Sequence, residues 1–209
     1  MLALILLISF VYLLQVVLGE SAYGRFMVVP VETVGSWEAL RAGNLAGVKA
    51  LDFGTLLSYA FLHGSTDHLF FNMIYLWMFA ALAAELLGQR WMLFTFVFTA
   101  ICGGICHVAL NANEVIPMLG ASGAVTGFEG LYLGMAVRWN LPDPHVWPMS
   151  RPIPPAHLAM LGMFGFVMDF MGFIGPDSGV AHGAHLGGFF GGMVLGALVV
   201  PMPRRANPR

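Results

Sequence analysis

A series of apolar stretches, each long enough to cross a lipid bilayer as a helix, restricts the fold of this chain most strongly. Crossing the hydrocarbon core takes about 20 helical residues. Six ranges qualify: Leu2–Leu18, Leu69–Leu87, Trp91–Leu110, Ser122–Trp139, Pro155–Ile174 and Val180–Val200. Of the 209 residues, 58% are hydrophobic and 10% are charged, whereas soluble domains carry about 25% charged residues. A soluble globule of this size would not bury so many apolar side chains, so the sequence predicts an all-α polytopic membrane protein surrounded by lipid.

Local sequence signals mark the ends of these spans. Ser65-Thr66-Asp67 is a favourable N-cap sequence before the second span, and Gly88-Gln89-Arg90 ends that span. Prolines interrupt helices, and they mark the connection between the fourth and fifth spans as non-helical: Pro142, Pro144, Pro148, Pro152, Pro154 and Pro155. The first span lacks the basic residues and the small-residue cleavage site of a signal peptide. We therefore expect it to be retained as a helix.

The region from Gly19 to Thr66 differs from the spans because charged and apolar residues are mixed throughout it. This composition predicts a loop subdomain that lies partly in the membrane interface. With six spans, both termini share one side of the membrane with six arginines: Arg90, Arg138, Arg151, Arg204, Arg205 and Arg209. The other side has only three basic residues, all in the long loop: Arg25, Arg41 and Lys49. The positive-inside rule therefore predicts a multi-pass protein with both termini in the cytoplasm. The membrane that we expect is a bacterial inner (plasma) membrane.

Charge and cysteine content exclude other classes of function. A formal net charge of −2 leaves no basic patch for nucleic acid. Cys102 and Cys106 lie in one apolar stretch, so neither a disulfide framework nor a redox compartment follows from them. We interpret both as small packing residues. The sequence implies no cofactor.

The first group of residues that suggests chemistry is Gly120-Ala121-Ser122-Gly123-Ala124, at the outer end of the fourth span. A serine among small residues at the start of a helix has an exposed hydroxyl and free backbone N–H groups around it. Such N–H groups and the helix dipole stabilise an oxyanion, as acyl transfer requires. The alternative is a packing surface of small residues, because glycines recur at helical spacing along this span: Gly123, Gly127, Gly130 and Gly134.

The second group is the segment from Ala181 to Gly188, which contains His182 and His185 near the outer start of the sixth span. Glycines spaced four apart follow these histidines, and such spacing lets a neighbouring helix approach closely: Gly183, Gly187 and Gly191, and Gly188, Gly192 and Gly196. If the fourth and sixth spans meet on their glycine faces, a histidine reaches Ser122 at ~2.6–3.2 Å. A histidine that only hydrogen-bonds between helices is the alternative.

The third group comprises His63, His68 and Asn72 at the outer end of the second span. His68 and Asn72 are four residues apart and therefore share a helical face, where side-chain donors would complete an oxyanion hole. Capping by His68 and an interhelical hydrogen bond by Asn72 are the alternatives. A metal site would use the histidines differently, but these groups contain neither an H-E-x-x-H motif nor a carboxylate within the membrane.

All three groups fall at one depth on one side, which independent packing roles would not explain.

At these residues the chain resembles the rhomboid family of intramembrane serine proteases. Phe61 to Met73 is similar to the family's second-helix signature, Gly120 to Ala124 to its G-x-S-x nucleophile motif, and Ala184 to Gly188 to its histidine motif. The resemblance implies a single six-helix membrane domain over residues 1–209, whose short fourth helix begins at a water-filled cavity.

The resemblance also implies site residues. It assigns Ser122 as nucleophile and His185 as base in a dyad without an acid. His68, Asn72 and the backbone N–H of Ser122 would stabilise the oxyanion. His63 matches a family histidine that is usually structural, and His182 matches no catalytic position.

Two departures from the family affect positions outside the dyad. The Trp-Arg pair that the family often has in its first loop falls on Gly54-Thr55. The glutamate near the cytoplasmic end of the second helix falls on Ala84, with Glu85 one position later.

The function predicted from these residues is an intramembrane serine endopeptidase that cleaves other membrane proteins, single-pass or polytopic, near the outer membrane face. The alternative is a non-catalytic rhomboid-like protein that binds or escorts membrane clients, although such relatives usually lack the serine or the histidine. A transporter with a histidine proton relay ranks last. Paired carboxylates deep in the spans would favour a transporter, but the only clear ones in this sequence are Glu129 and Asp169.

Overall fold

The computed structural model describes residues 1–143, 155–175, 179–204 and 206–208. Within these residues the chain forms nine α-helices, α1 to α9: Leu2–Leu18, Glu20–Tyr23, Pro30–Arg41, Ala50–Ser58, Thr66–Leu86, Gln89–Leu110, Ser122–Arg138, Pro155–Ile174 and His182–Val194. A π-helical turn, Leu195–Val199, continues α9. Short 3-10 turns occupy Gly24–Phe26, Leu45–Gly47 and Tyr59–Phe61. The strands β1 (Trp139–Asn140) and β2 (Asn207–Pro208) form one antiparallel pair.

Each apolar stretch of the sequence coincides with one of the long helices, so the all-helical prediction is confirmed for the residues described. In the described part of the chain, three helices meet the length and hydropathy needed to cross a membrane, namely Thr66–Leu86, Gln89–Leu110 and His182–Val199. Leu2–Leu18 and Met160–Ile174 are shorter apolar helices. Helix α7, which has 17 residues, is instead the central helix, because α5, α6, α8 and α9 all pack against it.

Local sequence explains where several helices begin and end. The Ser65 hydroxyl accepts a hydrogen bond from the backbone N–H of His68 at 3.1 Å, so Ser65 caps α5 as predicted. Gly88 joins α5 to α6 with φ of 96°, a conformation that favours glycine. Pro155 is the first residue of α8, a position where proline is tolerated. Seven residues used in the sequence predictions lie outside the described ranges: Pro144, Pro148, Pro152, Pro154, Arg151, Arg205 and Arg209.

Glycines set the close contact between α7 and α9. A Cβ atom on Gly188 would lie 1.8 Å from the carbonyl oxygen of Gly123, and one on Gly192 equally close to the carbonyl oxygen of Gly127. Only glycine allows the two backbones to approach so closely. The other glycine row of α9 faces α6, where a Cβ on Gly187 would lie 2.3 Å from the Cβ of Cys106. The cysteines therefore pack against this row as small side chains.

The two ends of the bundle contain different parts of the chain. At one end, the amino group of Met1 donates to Oε1 of Gln89 at 2.9 Å. The backbone N–H of Arg204 donates to the carbonyl oxygen of Leu86 at the same end, at 2.8 Å. At the other end, Val28 and Met118 exchange backbone hydrogen bonds, which ties the long loop to the α6–α7 connection. Residues 19–66 are therefore a packed unit that contains α2, α3 and α4.

The outer surface of the bundle is apolar. On α1, Val17 is 78% exposed, and on α8, Phe164 is 64% exposed. Water would solvate such side chains at a high free-energy cost, whereas lipid tails accommodate them. This surface agrees with a bundle that is solvated by lipid.

Candidate active site

Ser122 and His185 lie within hydrogen-bond distance at the junction of α7 and α9. Ser122 is the first residue of α7, and its Oγ lies 2.7 Å from Nε2 of His185, in the first turn of α9. The glycine contact between Gly123 and Gly188 brings the two helix starts together. The Thr126 hydroxyl lies 3.0 Å from the carbonyl oxygens of both Gly123 and His185, which ties the helices at the same level. These contacts hold the serine hydroxyl and the imidazole within hydrogen-bond reach of each other, which is the geometry that a nucleophile and its base require.

The backbone that leads into Ser122 is held by hydrogen bonds to the long loop. Gly120 has φ of 132°, and its N–H donates to the carbonyl oxygen of Tyr59 at 3.0 Å. The N–H of Ala121 donates to Nε2 of His63 at 3.4 Å. Burial of His63 lowers the pKa of its imidazole to about 3, so this ring stays neutral and its Nε2 remains an acceptor. His63 therefore supports the turn before the serine, as the resemblance implied.

His68 and Asn72, on α5, lie beside the serine. A Cβ atom on Gly120 would be 2.8 Å from Nε2 of His68 and 3.7 Å from Oγ of Ser122, so both groups border one small space. Nδ2 of Asn72 donates to the carbonyl oxygen of His68 at 2.9 Å. The structure thus brings together the four residues for which catalytic roles were predicted: Ser122, His185, His68 and Asn72. Their chemical roles remain predictions.

A cavity of about 470 Å³ lies in front of this group. Residues of α5, α7 and α8 form its walls, and His185 of α9 lies at one end. Its polar lining residues are His68, Asn72, Tyr75, Ser122, Thr126, Glu129, Asp169 and His185. Glu129 is 8% exposed and packs against Gly162 and Gly165 of α8. The cavity therefore exposes the serine together with other polar side chains within an otherwise apolar bundle.

Asp169 belongs to the site, although the sequence did not predict it there. Its Oδ1 lies 2.6 Å from Nδ1 of His185 and 3.0 Å from Nδ1 of His182. Because an ionised carboxylate only accepts hydrogen bonds, Nδ1 of His185 donates, and Nε2 is left to accept from the Ser122 hydroxyl. The sequence feature that could have indicated this role is a carboxylate within an apolar span, which is costly and therefore often functional. At the level of sequence, Asp169 was related only to the transporter alternative.

Among the described residues, Asp169, His182 and His185 form the group that most resembles a metal-binding site. The nitrogen and oxygen atoms of Asp169, His182 and His185 all lie within 4.8 Å of one another. Two ligands of one tetrahedral zinc ion would be separated by about 3.3 Å, given the usual metal–ligand distances. The separation of 2.6 Å between Asp169 and His185 is that of a direct hydrogen bond. His63 and His68 do not belong to this group of three, and their rings contact each other edge to face.

Comparisons with known proteins agree with this architecture. Residues 51–202 match the family model described as "Rhomboid domain". The chain is also 28% identical over 201 residues to "Putative rhomboid protease YdcA" of Bacillus subtilis (strain 168), covering 95% of this chain and 90% of that protein. Together these matches support an intramembrane protease at the level of the family. With its helical membrane bundle and the matched domain over most of its length, the chain belongs to the rhomboid family.

Proposed function

We propose that this protein is an intramembrane serine endopeptidase with Ser122 as nucleophile and His185 as general base. The observation that carries the proposal is the distance of 2.7 Å between the two side chains, at a cavity inside the bundle. In the proposed reaction, Nε2 of His185 takes the Ser122 proton while Oγ attacks a peptide carbonyl carbon. The protonated His185 then donates to the leaving amine, and water hydrolyses the acyl-enzyme.

His68, Asn72 and the backbone N–H of Ser122 are the proposed oxyanion donors. His68 and Asn72 line the cavity beside Ser122, and the Ser122 N–H belongs to the first turn of α7, where backbone N–H groups have no helical acceptor. Donors aimed at the developing negative charge supply much of the rate enhancement in acyl transfer.

The substrates are single-pass or polytopic membrane proteins. A helix has its carbonyl groups hydrogen-bonded, and a substrate must unwind locally before Ser122 attacks one of them. We therefore expect cleavage near Gly, Pro or other helix-weakening residues at the outer membrane face.

The proposed orientation has both ends of this chain in the cytoplasm, in a bacterial inner membrane. Met1, the α5–α6 connection and Arg204 share one end of the bundle, and the serine lies near the other. Three basic residues lie at this end: Arg90 follows the end of α5, Arg138 is the last residue of α7, and Arg204 follows α9 and its π-helical turn. The positive-inside rule assigns this end to the cytoplasm.

Labelling with a fluorophosphonate probe tests the proposed function in purified, detergent-solubilised protein. Ser122→Ala and His185→Ala should each abolish labelling and cleavage of a transmembrane substrate, whereas Ser21→Ala, at an exposed serine of α2, should label like the wild type. Retained cleavage in both site variants would refute the proposal. Absence of wild-type labelling, combined with co-purification of uncleaved membrane proteins, would instead support the escort function.

A further inference from the structure

We propose that Asp169 is a positioning residue for His185, completing a Ser122–His185–Asp169 triad, and that His182 holds the Asp169 carboxylate in place. This inference rests on the proposed function. It assigns roles to a carboxylate and a histidine for which the family resemblance has no catalytic position.

The contact between Asp169 and His185 is short and shielded. The distance of 2.6 Å from Oδ1 to Nδ1 is slightly shorter than the range of about 2.7–2.9 Å that is usual for charge-assisted N–H···O hydrogen bonds. The two side chains are only 16% and 14% exposed. Water therefore competes weakly for either group, and the hydrogen bond orients the imidazole ring more strongly than an exposed contact would.

The orientation of His185 determines whether it acts as a base. A neutral imidazole carries its proton on either Nδ1 or Nε2, and only the Nδ1–H form presents an Nε2 lone pair to Ser122. Asp169 accepts from Nδ1–H and so selects that form. The same carboxylate stabilises the imidazolium that forms when His185 takes the Ser122 proton.

His182 occupies a space that α8 leaves open beside Asp169. A Cβ atom on Gly172 would lie 2.4 Å from the His182 ring, so the ring fills the place of the missing side chain. From there Nδ1 of His182 contacts the same Oδ1 of Asp169 at 3.0 Å. Gly172 is three residues after Asp169, on the same face of α8. A carboxylate within an apolar bundle needs such donors, and two imidazoles fix its position.

The main test compares Asp169→Asn with Glu38→Gln, a carboxylate-to-amide change at an exposed residue of α3. The amide in Asp169→Asn keeps the shape of the side chain but loses its charge. We expect kcat to fall about 10²–10⁴-fold, by analogy with loss of the triad acid in serine proteases, with KM within about twofold because substrate binding does not use this group. Glu38→Gln should retain wild-type values. A chelator in every assay removes bound metal ions as a variable.

A spectroscopic measurement distinguishes a role of Asp169 in orienting His185 from a role only in the stability of the fold. In protein labelled with ¹⁵N-histidine, the short Asp169–His185 hydrogen bond should give a strongly downfield Nδ1 proton resonance. This resonance should persist in Ser122→Ala and be absent in Asp169→Asn and His185→Ala. Wild-type kcat in Asp169→Asn, or the resonance unchanged in that variant, would overturn the inference.

Gly172→Ala keeps the inference testable if Asp169→Asn does not fold. The added methyl group displaces the His182 ring, and kcat should fall with little change in KM. Gly162→Ala is the matched control on the same helix, because its Cβ would make only ordinary contacts, the nearest at 3.5 Å. Equal kcat in the two variants would refute the role of His182. Activity retained in Ser122→Ala would count against the proposed function itself. Full activity in Asp169→Asn would count only against the triad.

Discussion

Adding one methyl group at Gly188 tests whether the glycine contact between α7 and α9 positions the serine and the histidine. The new Cβ would lie 1.8 Å from the carbonyl oxygen of Gly123, whereas ordinary contact begins at 3.4 Å, so the backbones must separate by the difference, 1.6 Å. Gly123 directly follows Ser122, and Gly188 is three residues after His185. Displacing catalytic groups by about 1 Å costs on the order of 10²-fold in rate. Overpacking of this kind also costs about 1–3 kcal/mol of stability.

The assay measures the rate of fluorophosphonate labelling and the thermal unfolding midpoint of Gly188→Ala in the same detergent. We expect labelling to slow by about 10²-fold or more and the midpoint to fall. Gly35→Ala is the control, because Gly35 lies in α3 and its Cβ would meet no atom within 4 Å. The control should match the wild type in labelling and be as stable or slightly more stable. Wild-type labelling and stability in Gly188→Ala would show that this contact does not position the pair.

Two further changes test groups around the serine. Asn72→Ala should lower kcat by about 10²–10³-fold, as loss of an oxyanion donor does. Labelling of this variant by the probe should still depend on Ser122. A kcat within about twofold of the wild-type value would show that Asn72 is not an oxyanion donor. His63 has its pKa lowered by burial to about 3, below the value of about 6.5 in an unfolded chain. The unfolded state thus binds the proton more tightly, and the stability linked to neutral His63 is present above pH ~6.5 and declines as the pH falls below it. His63→Gln retains an acceptor for the Ala121 N–H but does not titrate, so its melting temperature should depend less on pH between about 7 and 4; an unchanged pH dependence would contradict the assignment.

The helical framework and the choice of candidate residues follow from local sequence. The apolar stretches have the length that lipid requires, and the helices begin and end near the predicted positions because Ser65 caps α5 and Gly88 separates α5 from α6. The glycine rows also identified the helix faces that meet. Small residues at four-residue spacing let α9 approach the backbones of its neighbours more closely than larger side chains would allow. The three short helices within residues 19–66 went unpredicted, because mixed polarity gives no clear periodicity there.

Partnerships between side chains on different helices were decided by the tertiary structure. Asp169 and His185 are 16 residues apart and lie on separate helices, so no spacing rule relates them. Their hydrogen bond depends on how α8 packs beside α9, and on the open space at Gly172 that admits His182. The sequence alone therefore determined a lipid-solvated helical bundle with Ser122 and His185 as candidate catalytic residues. Whether a carboxylate orients that histidine depended on helix packing, because a hydrogen bond is sensitive to tenths of an ångström that no local pattern encodes.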